Sequence, residues 1–344
     1  MEEKIKIYVT REVERILDKD AESFEFYKPS GKLNRNALLT RLIVNYSEEY
    51  HARKSEMIDY IAEKLAAEGF AATYNNRALI GEITEHVQRT ASPLTVGKFD
   101  CPISLKPTRE SAPVIAYIEG CLLGSVSLSE YFRNMFSAYA TLSQDKRERI
   151  IFKEECEALE RAIANKKQVF ITLRNANRST FTLSPYALCN TKEELHGYLI
   201  AASIKGMHGT SLRLSRVVSV KELPADAVFT DGCVAVMEKM LRYGPQFMYG
   251  RADEEAVIEL TEKGKALFRK MYVHRPVPDR IEGDLYYFSC SHIQLRQYFV
   301  RFGEEAFVHK PMRLRADIFC FHKRAVKRIS RDGYPERTPP MPKE

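Results

Sequence analysis

The stretch HGYLIAAS (residues 196–203) is followed closely by GTSLRLSRVVSV (209–220). The first segment is typical of a short apolar strand, and the second of a strand that carries Arg213 and Arg216. A buried guanidinium without a partner is costly, so each arginine requires an anion. Because side chains three positions apart on a strand point to opposite faces, we expect one arginine to hold a helix or a carboxylate and the other to face a ligand.

These segments belong to a set of four short apolar runs separated by polar or glycine-containing breaks. The runs are QVFITLR (168–174), STFTLSPYAL (179–188), LHGYLIAAS (195–203) and TSLRLSRVVSV (210–220). Short strands at this spacing predict a small meandering β-barrel. A single helix, QDKRERIIFKEECEALERAIANKK, is predicted before the barrel and begins near Gln144.

The N-terminal segment KIKIYVTRE (4–12) alternates polar and apolar side chains, which predicts a half-buried strand. The residues of its inward face are Ile5, Ile7 and Val9, and those of its outward face are Lys4, Lys6 and Tyr8. Thr10 then suits the N-cap of a first helix, and Asn34 suits the N-cap of a second. The unit is therefore strand, helix, helix.

A second copy of this unit lies near residues 100–142. Its strand and two helices are PISLKPTRES (102–111), SAPVIAYIEGCLL (111–123) and LSEYFRNMFSAYATL (128–142). When Ser127 is aligned with Asn34, the apolar positions of the two second helices match. The matched residues are Tyr131 and Phe132 with Leu38 and Leu39, Met135 and Phe136 with Leu42 and Ile43, and Tyr139 with Tyr46. Because a lone strand cannot bury its edge, we infer that the two copies pair.

This doubled pattern resembles ribbon-helix-helix modules. The resemblance implies a pseudo-symmetric module over residues 1–145, with repeats at 1–50 and 99–142 joined by a helical linker. That family inserts its ribbon into the DNA major groove. Residues 1–144 hold 18 Lys and Arg against 20 Asp and Glu, so we expect weak or lost binding to duplex DNA, since phosphate neutralisation dominates affinity. The possible DNA-facing residues are Lys4, Lys6, Tyr8 and Lys106.

Three elements of the middle region resemble the WYL domain, a small Sm-like β-barrel. They are SPYAL (184–188), the triplet Gly197, Tyr198 and Leu199, and LRLSRV (212–217). Gly197 replaces the tryptophan of the family, and Ser215 replaces its usual aspartate. The resemblance implies a WYL domain over residues 146–224. Arginine binds phosphate bidentately and tyrosine offers a ring for base stacking, so the candidate RNA-binding or nucleotide-binding residues are Tyr198, Arg213, Arg216, Arg174, Lys205 and His208.

Residues 225–330 predict a further small α/β unit. Its segments are a strand and helix at 256–276, a strand at 284–291, a helix or helix pair at 292–308 and a last helix at 314–329. The unit is similar to the extension that often follows WYL domains, which implies a domain that supports dimerisation or closes over the ligand. Because exposed aromatic residues on so small a domain need a partner, we expect a homodimer. The tail at 331–344, rich in proline and charge, is expected to be disordered. The whole chain is therefore predicted to be a multidomain α+β protein.

Charge and cysteine content narrow the possible functions. The net charge of +7 arises in the second half, because residues 145–225 hold 14 Lys and Arg against 9 Asp and Glu, and residues 262–344 hold 18 against 10. Such a balance favours polyanions. Seven cysteines without a CxxC pair indicate free thiols in a reducing compartment, so we expect a cytoplasmic protein. No apolar run approaches the ~20 residues of a membrane span.

No sequence pattern indicates catalysis. The phosphate-binding loop, the dinucleotide fingerprint, HExxH and GxSxG are all absent from the sequence. The spacings of the histidines and cysteines match no metal-ligand set. We therefore expect a protein that is not an enzyme and that requires neither a metal nor a cofactor.

The combination of these three regions resembles the WYL-domain accessory proteins encoded with type VI-D CRISPR systems. That resemblance implies a regulator in antiviral defence that binds single-stranded RNA and enhances the RNA-guided ribonuclease effector. A different interpretation is also open. The chain would then be a transcription regulator whose ribbon reads operator DNA while the barrel senses a nucleotide.

Overall fold

A computed structural model describes residues 4–70, 74–90, 97–123, 126–174, 179–191, 196–249 and 254–330. The tail at 331–344, expected to be disordered, lies outside the described residues. The described chain is a mixed α+β protein with eleven α-helices and three antiparallel sheets. The helices are α1 (Arg11–Ser23), α2 (Arg35–Ala67), α3 (Tyr74–Thr90), α4 (Ser111–Tyr117), α5 (Leu128–Ala140), α6 (Gln144–Ile151), α7 (Lys153–Ala164), α8 (Asp231–Tyr243), α9 (Glu262–Lys270), α10 (His292–Phe299) and α11 (Met312–Ile329). The strands are β1 (Ile5–Val9), β2 (Cys101–Leu105), β3 (Lys167–Leu173), β4 (Thr180–Asn190), β5 (Gly197–Ser203), β6 (Gly209–Arg213), β7 (Val217–Asp226), β8 (Ala256–Leu260), β9 (Arg280–Glu282), β10 (Leu285–Phe288) and β11 (Ala306–Lys310).

Strands β1 and β2 form a two-stranded antiparallel ribbon in which Ile7 lies opposite Ile103. The strands of the two N-terminal copies thus pair with each other, as the sequence predicts. The inward side chains Ile7, Val9, Ile103 and Leu105 are buried. Burial of each contributes roughly 1.5–3 kcal/mol, so the alternating pattern fixes which face of the ribbon meets the helices.

Side-chain caps mark the aligned helix starts. At each start the side-chain oxygen of the cap residue accepts a hydrogen bond from the backbone N–H three residues later. Thr10 accepts from Val13 (3.3 Å), Asn34 from Ala37 (3.3 Å) and Ser127 from Glu130 (3.2 Å). Such a cap contributes about 1 kcal/mol because it satisfies an amide that the helix itself cannot. All ten aligned apolar residues of α2 and α5 are buried, which confirms the matched registers.

The interval at 50–98, which the sequence assigns to a helical linker, contains the second half of α2 and all of α3. Helix α2 continues well beyond Tyr50, its last buried residue. Helix α3 packs against α2. The described part of the linker therefore consists of an extension of the second helix and of one further helix. In the second copy, α4 continues into a short π-helical segment, Ile118–Leu122.

The single helix predicted from Gln144 is two helices, α6 and α7. They are separated at Phe152, which is fully buried and leaves helical geometry (φ −111°, ψ 35°). The Phe152 ring packs against Phe24 and Phe26, with ring centroids 5.9 and 6.1 Å apart. The prediction is wrong at this residue because packing of one aromatic ring outweighs helix continuity.

Strands β3 to β7 form a five-stranded antiparallel sheet in the order β6-β5-β4-β3-β7. The predicted strand at 210–220 is interrupted, because Leu214–Arg216 is a 3₁₀ turn between β6 and β7. Leu214 and Ser215 within the turn are both buried. The two edge strands β6 and β7 do not pair within the described residues, so hydrogen bonds do not close the predicted barrel.

One continuous hydrophobic core joins the N-terminal helices to the five-stranded sheet. It extends from Ile7 in the ribbon through Phe152 to Val217 in β7. On the other face of the sheet, Ile200 and Ala202 pack against α8 in a smaller cluster. The boundary between the N-terminal helices and the sheet is therefore a packed interior surface, and the candidate site lies along it.

The C-terminal unit contains a four-stranded antiparallel sheet in the order β11-β8-β10-β9 and has its own core. The segments at 256–276 and 284–291 contain the predicted β8, α9 and β10. The helix or helix pair predicted at 292–308 is wrong in its second half, where β11 pairs with β8. Helix α10 ends at Phe299, and Gly303, whose backbone is left-handed (φ 57°), begins the short 3₁₀ turn that leads into β11.

Three general properties complete the description of the fold. No helix among the described residues is long and apolar enough to cross a membrane. All seven cysteines are free thiols. The described residues contain no group of three His, Cys, Asp or Glu side chains arranged to hold a metal ion.

Candidate nucleic-acid interface

The loop after α1 gathers three of the arginines that the sequence singles out. Helix α1 ends at Ser23, and Glu25 follows in a left-handed backbone conformation (φ 58°), which is uncommon for residues other than glycine. Arg174, Arg213 and Arg216 all donate hydrogen bonds to Ser23 or Glu25. We name these three residues the arginine cluster.

Arg213 and Arg216 converge on the Glu25 carboxylate. Arg216 Nε lies 3.1 and 3.3 Å from the two carboxylate oxygens, and Arg213 Nη1 lies 3.5 Å from one of them. The expectation that the two arginines face opposite ways is wrong, because the 3₁₀ turn replaces strand geometry at Arg216. These two guanidinium groups share the Glu25 carboxylate, and Arg174 adds a third cation at the Glu25 backbone carbonyl, so the cluster has an excess of two positive charges.

Arg213 ties strand β6 to the end of α1. Its Nη2 donates to the Ser23 carbonyl at 2.8 Å and lies 2.9 and 2.5 Å from Nδ1 and Nε2 of the His196 ring. Burial, together with the charge of Arg213, lowers the pKa of His196 to about 4. His196 is therefore neutral near pH 7 and adds no charge to the cluster. A cation at the end of α1 also suits the negative pole of the helix.

Arg174 and Arg216 differ in their contacts and in their exposure to solvent. Arg174 Nη1 donates to the Glu25 carbonyl at 3.2 Å, and its guanidinium lies 4.8 Å from the centroid of the Phe26 ring. Burial lowers the pKa of Arg174, and the nearby Arg41 charge lowers it further. The side chain of Arg216 is 55% exposed, against 21% for Arg213. Arg216 is thus the member best placed to exchange its carboxylate partner for a phosphate.

Tyr198 is half-buried at the start of β5, where it pairs across the sheet with Arg213. It lines a cavity of about 300 Å³ together with Glu148 and Gly197. Glu148 is buried, and its Oε2 accepts a 2.7 Å hydrogen bond from the Gly197 N–H. Burial raises the pKa of Glu148 to about 7. Tyr198 therefore lies beside a polar cavity near the arginine cluster.

Lys205 and His208 do not join the arginine cluster. Both are exposed in the turn between β5 and β6, at the opposite end of β5 from Tyr198. At about 3.3 Å per residue, roughly 16 Å separates Tyr198 from the last residue of that strand. The structure therefore separates the six predicted RNA-binding or nucleotide-binding residues into a group at the α1 loop and a pair at the distant turn.

The outward face of the ribbon carries the four predicted DNA-facing residues. All four are exposed, namely Lys4, Lys6, Tyr8 and Lys106. From α5, Ser129 donates to the Lys6 carbonyl at 2.9 Å and Arg133 donates to the Tyr8 carbonyl at 2.8 Å. The ribbon is thus held on the helices with its polar face outward.

Sequence reasoning missed Glu25, Arg41 and Glu148. Arg41 lies in the apolar run LLTRLIV (38–44), and its guanidinium binds the buried Glu155 carboxylate at 2.9 and 3.2 Å. A charged residue inside an apolar run was an available signal for Arg41. Glu25 offered no comparable signal, because its importance depends on contact with Arg216, 191 residues later.

Comparison with known proteins supports the fold and gives no family. No protein-family model and no curated protein sequence matches this chain. A crystal structure of a CRISPR Cas-related protein superimposes on 97% of this chain and on 96% of its own, with a TM-score of 0.63 and 16% identity. The two chains therefore share a fold along almost their whole length. Proteasome accessory factor B/C (PafBC) of Arthrobacter aurescens aligns with 67% of this chain and 37% of its own at 17% identity, but its TM-score of 0.25 does not establish a common fold.

Proposed function

We propose that this chain is a non-catalytic regulator that binds single-stranded RNA and enhances the RNA-guided ribonuclease of a type VI-D CRISPR system. The observation that carries the proposal is the arginine cluster, in which Arg213 and Arg216 share the Glu25 carboxylate and Arg174 donates to the Glu25 backbone carbonyl. An excess of two positive charges at the surface of a packed boundary attracts a polyanion. The shared fold with a CRISPR Cas-related protein supports the biological setting.

The finer fold assignments belong to the same proposal. The β1 and β2 ribbon with its helices is assigned as a ribbon-helix-helix-like module. The five-stranded sheet with its 3₁₀ turn is assigned as a WYL domain, and the C-terminal sheet as a dimerisation unit. The antiparallel ribbon pairing and the strand order β6-β5-β4-β3-β7 support the first two assignments. The exposed apolar residues of α11 support the third.

In the proposed binding step, RNA phosphate replaces Glu25 as the partner of Arg216. Arginine binds phosphate through two parallel N–H groups, and the exposed side chain of Arg216 needs little rearrangement to do so. Tyr198 would supply a ring on which a base stacks. The bound dimer would raise the local availability of RNA to the effector. The protein would require no catalytic group of its own.

The test is Arg216→Ala, because Arg213 also fixes strand β6 to α1 and its loss would disturb the fold. We expect a roughly tenfold loss of affinity for single-stranded RNA, the effect of removing one charge-assisted hydrogen-bonded contact. The slope of log affinity against log salt should fall by about 0.7, as for one lost phosphate contact. Fluorescence anisotropy measures both quantities.

The matched control is Arg301→Ala, since Arg301 is an exposed arginine whose Nε contacts only the Gln297 carbonyl one turn earlier among the hydrogen bonds described for it. It should retain the affinity of the unmodified protein. Equal affinity in the Arg216→Ala and Arg301→Ala variants would remove the arginine cluster from the proposal.

A second candidate is a transcription regulator that reads duplex DNA with the ribbon and senses a nucleotide with the sheet. It is favoured by the exposure of Lys4, Lys6, Tyr8 and Lys106 on one face of the ribbon. The double change Lys4→Ala with Lys6→Ala separates the two candidates. Loss of sequence-dependent duplex binding in that variant would favour DNA reading, whereas unchanged RNA binding with little duplex affinity would favour the RNA regulator.

A further inference from the structure

A cavity of about 430 Å³ lies where the start of α2, the segment before α4 and the end of β3 meet. The residues of its wall that carry the argument are Tyr27, Asn34, Thr40, Arg41, Arg109 and Arg174. Only Arg174 belongs to the arginine cluster, so the cavity is a separate feature of the surface. Its size lies within the range of pockets that bind small molecules.

A buried hydroxyl in the cavity wall lacks a partner. Thr40 is only 5% exposed, and its Oγ1 makes no hydrogen bond to any part of the chain that the structure describes. Leaving a buried polar group unsatisfied costs about 1–3 kcal/mol. A ligand that completes its hydrogen bonding is one explanation for such a group.

The charges around the cavity favour an anion. Arg41, Arg109 and Arg174 line it, and Glu110 is the acidic residue of its wall. Arg41 is also bound to Glu155, whereas the charge of Arg41 destabilises the nearby cation of Arg174. The N-terminus of the 33-residue helix α2 adjoins the cavity at Asn34 and has no acidic residue in its first turn, so the positive pole of the helix adds to the field.

We propose that this cavity binds a nucleotide through its terminal phosphate monoester. The phosphate lies between the guanidinium groups of Arg109 and Arg174 and accepts a hydrogen bond from Thr40 Oγ1. The ring of Tyr27 is 48% exposed at the cavity wall and stacks on the base. Glu110 disfavours additional phosphates, so a nucleoside monophosphate fits better than a triphosphate.

Two kinds of ligand carry a nucleotide with a terminal phosphate monoester. They are a free mononucleotide and the 5′-phosphorylated end of an RNA strand. The proposal does not depend on RNA binding by the arginine cluster. The two proposals share Arg174, but Thr40 and Arg109 lie outside that cluster, so variants at these two residues test the cavity alone. Failure of one therefore leaves the other testable.

The first experiment is calorimetric titration of the intact protein with AMP, with adenosine and with inorganic phosphate. AMP should bind more tightly than either part alone. Thr40→Val and Arg109→Ala should each weaken AMP binding by about tenfold, as expected for loss of a hydrogen bond to a charged group. Thr40→Val should also raise the melting temperature of the protein without AMP, because it removes the unsatisfied hydroxyl.

The matched control for Thr40→Val is Thr84→Val. Thr84 is likewise buried and its Oγ1 has no hydrogen-bond partner within the described ranges, but it lies in α3, away from this cavity. Thr84→Val should leave AMP binding unchanged. Equal AMP affinity in the Thr40→Val, Arg109→Ala and unmodified proteins would overturn the proposal, as would adenosine binding as tightly as AMP.

A second titration identifies the source of the phosphate, using one RNA oligomer with either a 5′-phosphate or a 5′-hydroxyl. A preference for the phosphorylated strand that Thr40→Val abolishes would identify the strand end as the ligand. Equal binding of the two strands, with AMP binding still sensitive to Thr40→Val, would identify a free mononucleotide. Absence of AMP binding up to about 1 mM, combined with equal binding of the two strands, would refute the site.

Discussion

At the scale of single residues, buried carboxyl groups link helix α6 to helix α1 and to the five-stranded sheet. Asp20 is fully buried and accepts hydrogen bonds from Arg147 Nε at 2.6 Å and from the Tyr139 hydroxyl at 2.9 Å. Glu148, the next residue after Arg147, is buried too, but its Oε1 has no partner among the described residues. Hydrogen-bond donors reach both oxygens of Asp20, whereas burial of Glu148 favours the protonated form of its carboxyl group.

Glu148 makes stability depend on pH. Burial raises its pKa from an ordinary value of 4.5 to about 7, so the folded chain holds a proton that the unfolded chain releases between these values. The free energy of unfolding therefore falls as pH rises from about 4.5 to about 7, by roughly 3 kcal/mol in total. His196 acts in the opposite direction, because its folded pKa of about 4 removes stability as pH falls from about 6.5.

The Glu148 effect is isolated by subtracting the unfolding free energy of the Glu148→Gln variant from that of the unmodified protein. Urea unfolding at about pH 5 and about pH 7.5 gives both values. The difference should become less favourable to the unmodified protein at the higher pH, while the His196 contribution cancels. A difference that does not change with pH would show that Glu148 titrates as an exposed carboxyl does.

At the scale of secondary-structure elements, α11 is incompletely covered. Leu314 is its one buried residue, and Met312, Phe319 and Val326 are 65%, 62% and 54% exposed. Their spacing of seven residues places them on one side of the helix. An apolar stripe of this kind favours a partner surface, and the proposed homodimer would cover it with a second copy of α11.

Phe319→Asp tests the role of α11 in the proposed dimer. Sedimentation equilibrium should show a dimer for the unmodified protein and a monomer for the variant, because a charge on the apolar stripe opposes its burial. Phe181→Asp is the control, since Phe181 is a comparably exposed phenylalanine on β4. A dimer that survives Phe319→Asp, or an unmodified protein that is a monomer, would exclude α11 as the dimer interface.

Local patterns predicted the elements that depend on neighbours in the sequence. The alternation around Ile7 and the caps at Thr10 and Asn34 were sufficient to predict the ribbon and its helices. The break at Phe152 and the 3₁₀ turn at 214–216 were missed, because both depend on burial against distant residues. The sequence identified Arg213 and Arg216 as candidate anion-binding residues. Their shared partner Glu25 could be identified only from the structure.

At the scale of the whole molecule, the arginine cluster depends on two regions of the chain, which one continuous core holds together. The arginine cluster consists of residues from the five-stranded sheet that contact the loop after α1. The excess positive charge of the sequence lies in the second half, whereas the ribbon belongs to a region with slightly more acidic than basic residues. Both features favour RNA binding at the boundary over DNA reading by the ribbon.

The most direct measurement is fluorescence anisotropy of the purified protein at two salt concentrations. The ligands are length-matched single-stranded RNA, single-stranded DNA and duplex DNA. The proposed function predicts the tightest binding for single-stranded RNA, a marked loss of affinity at the higher salt and little affinity for the duplex. Preferential binding of duplex DNA would contradict the proposed function and would identify the ribbon as the DNA-binding surface.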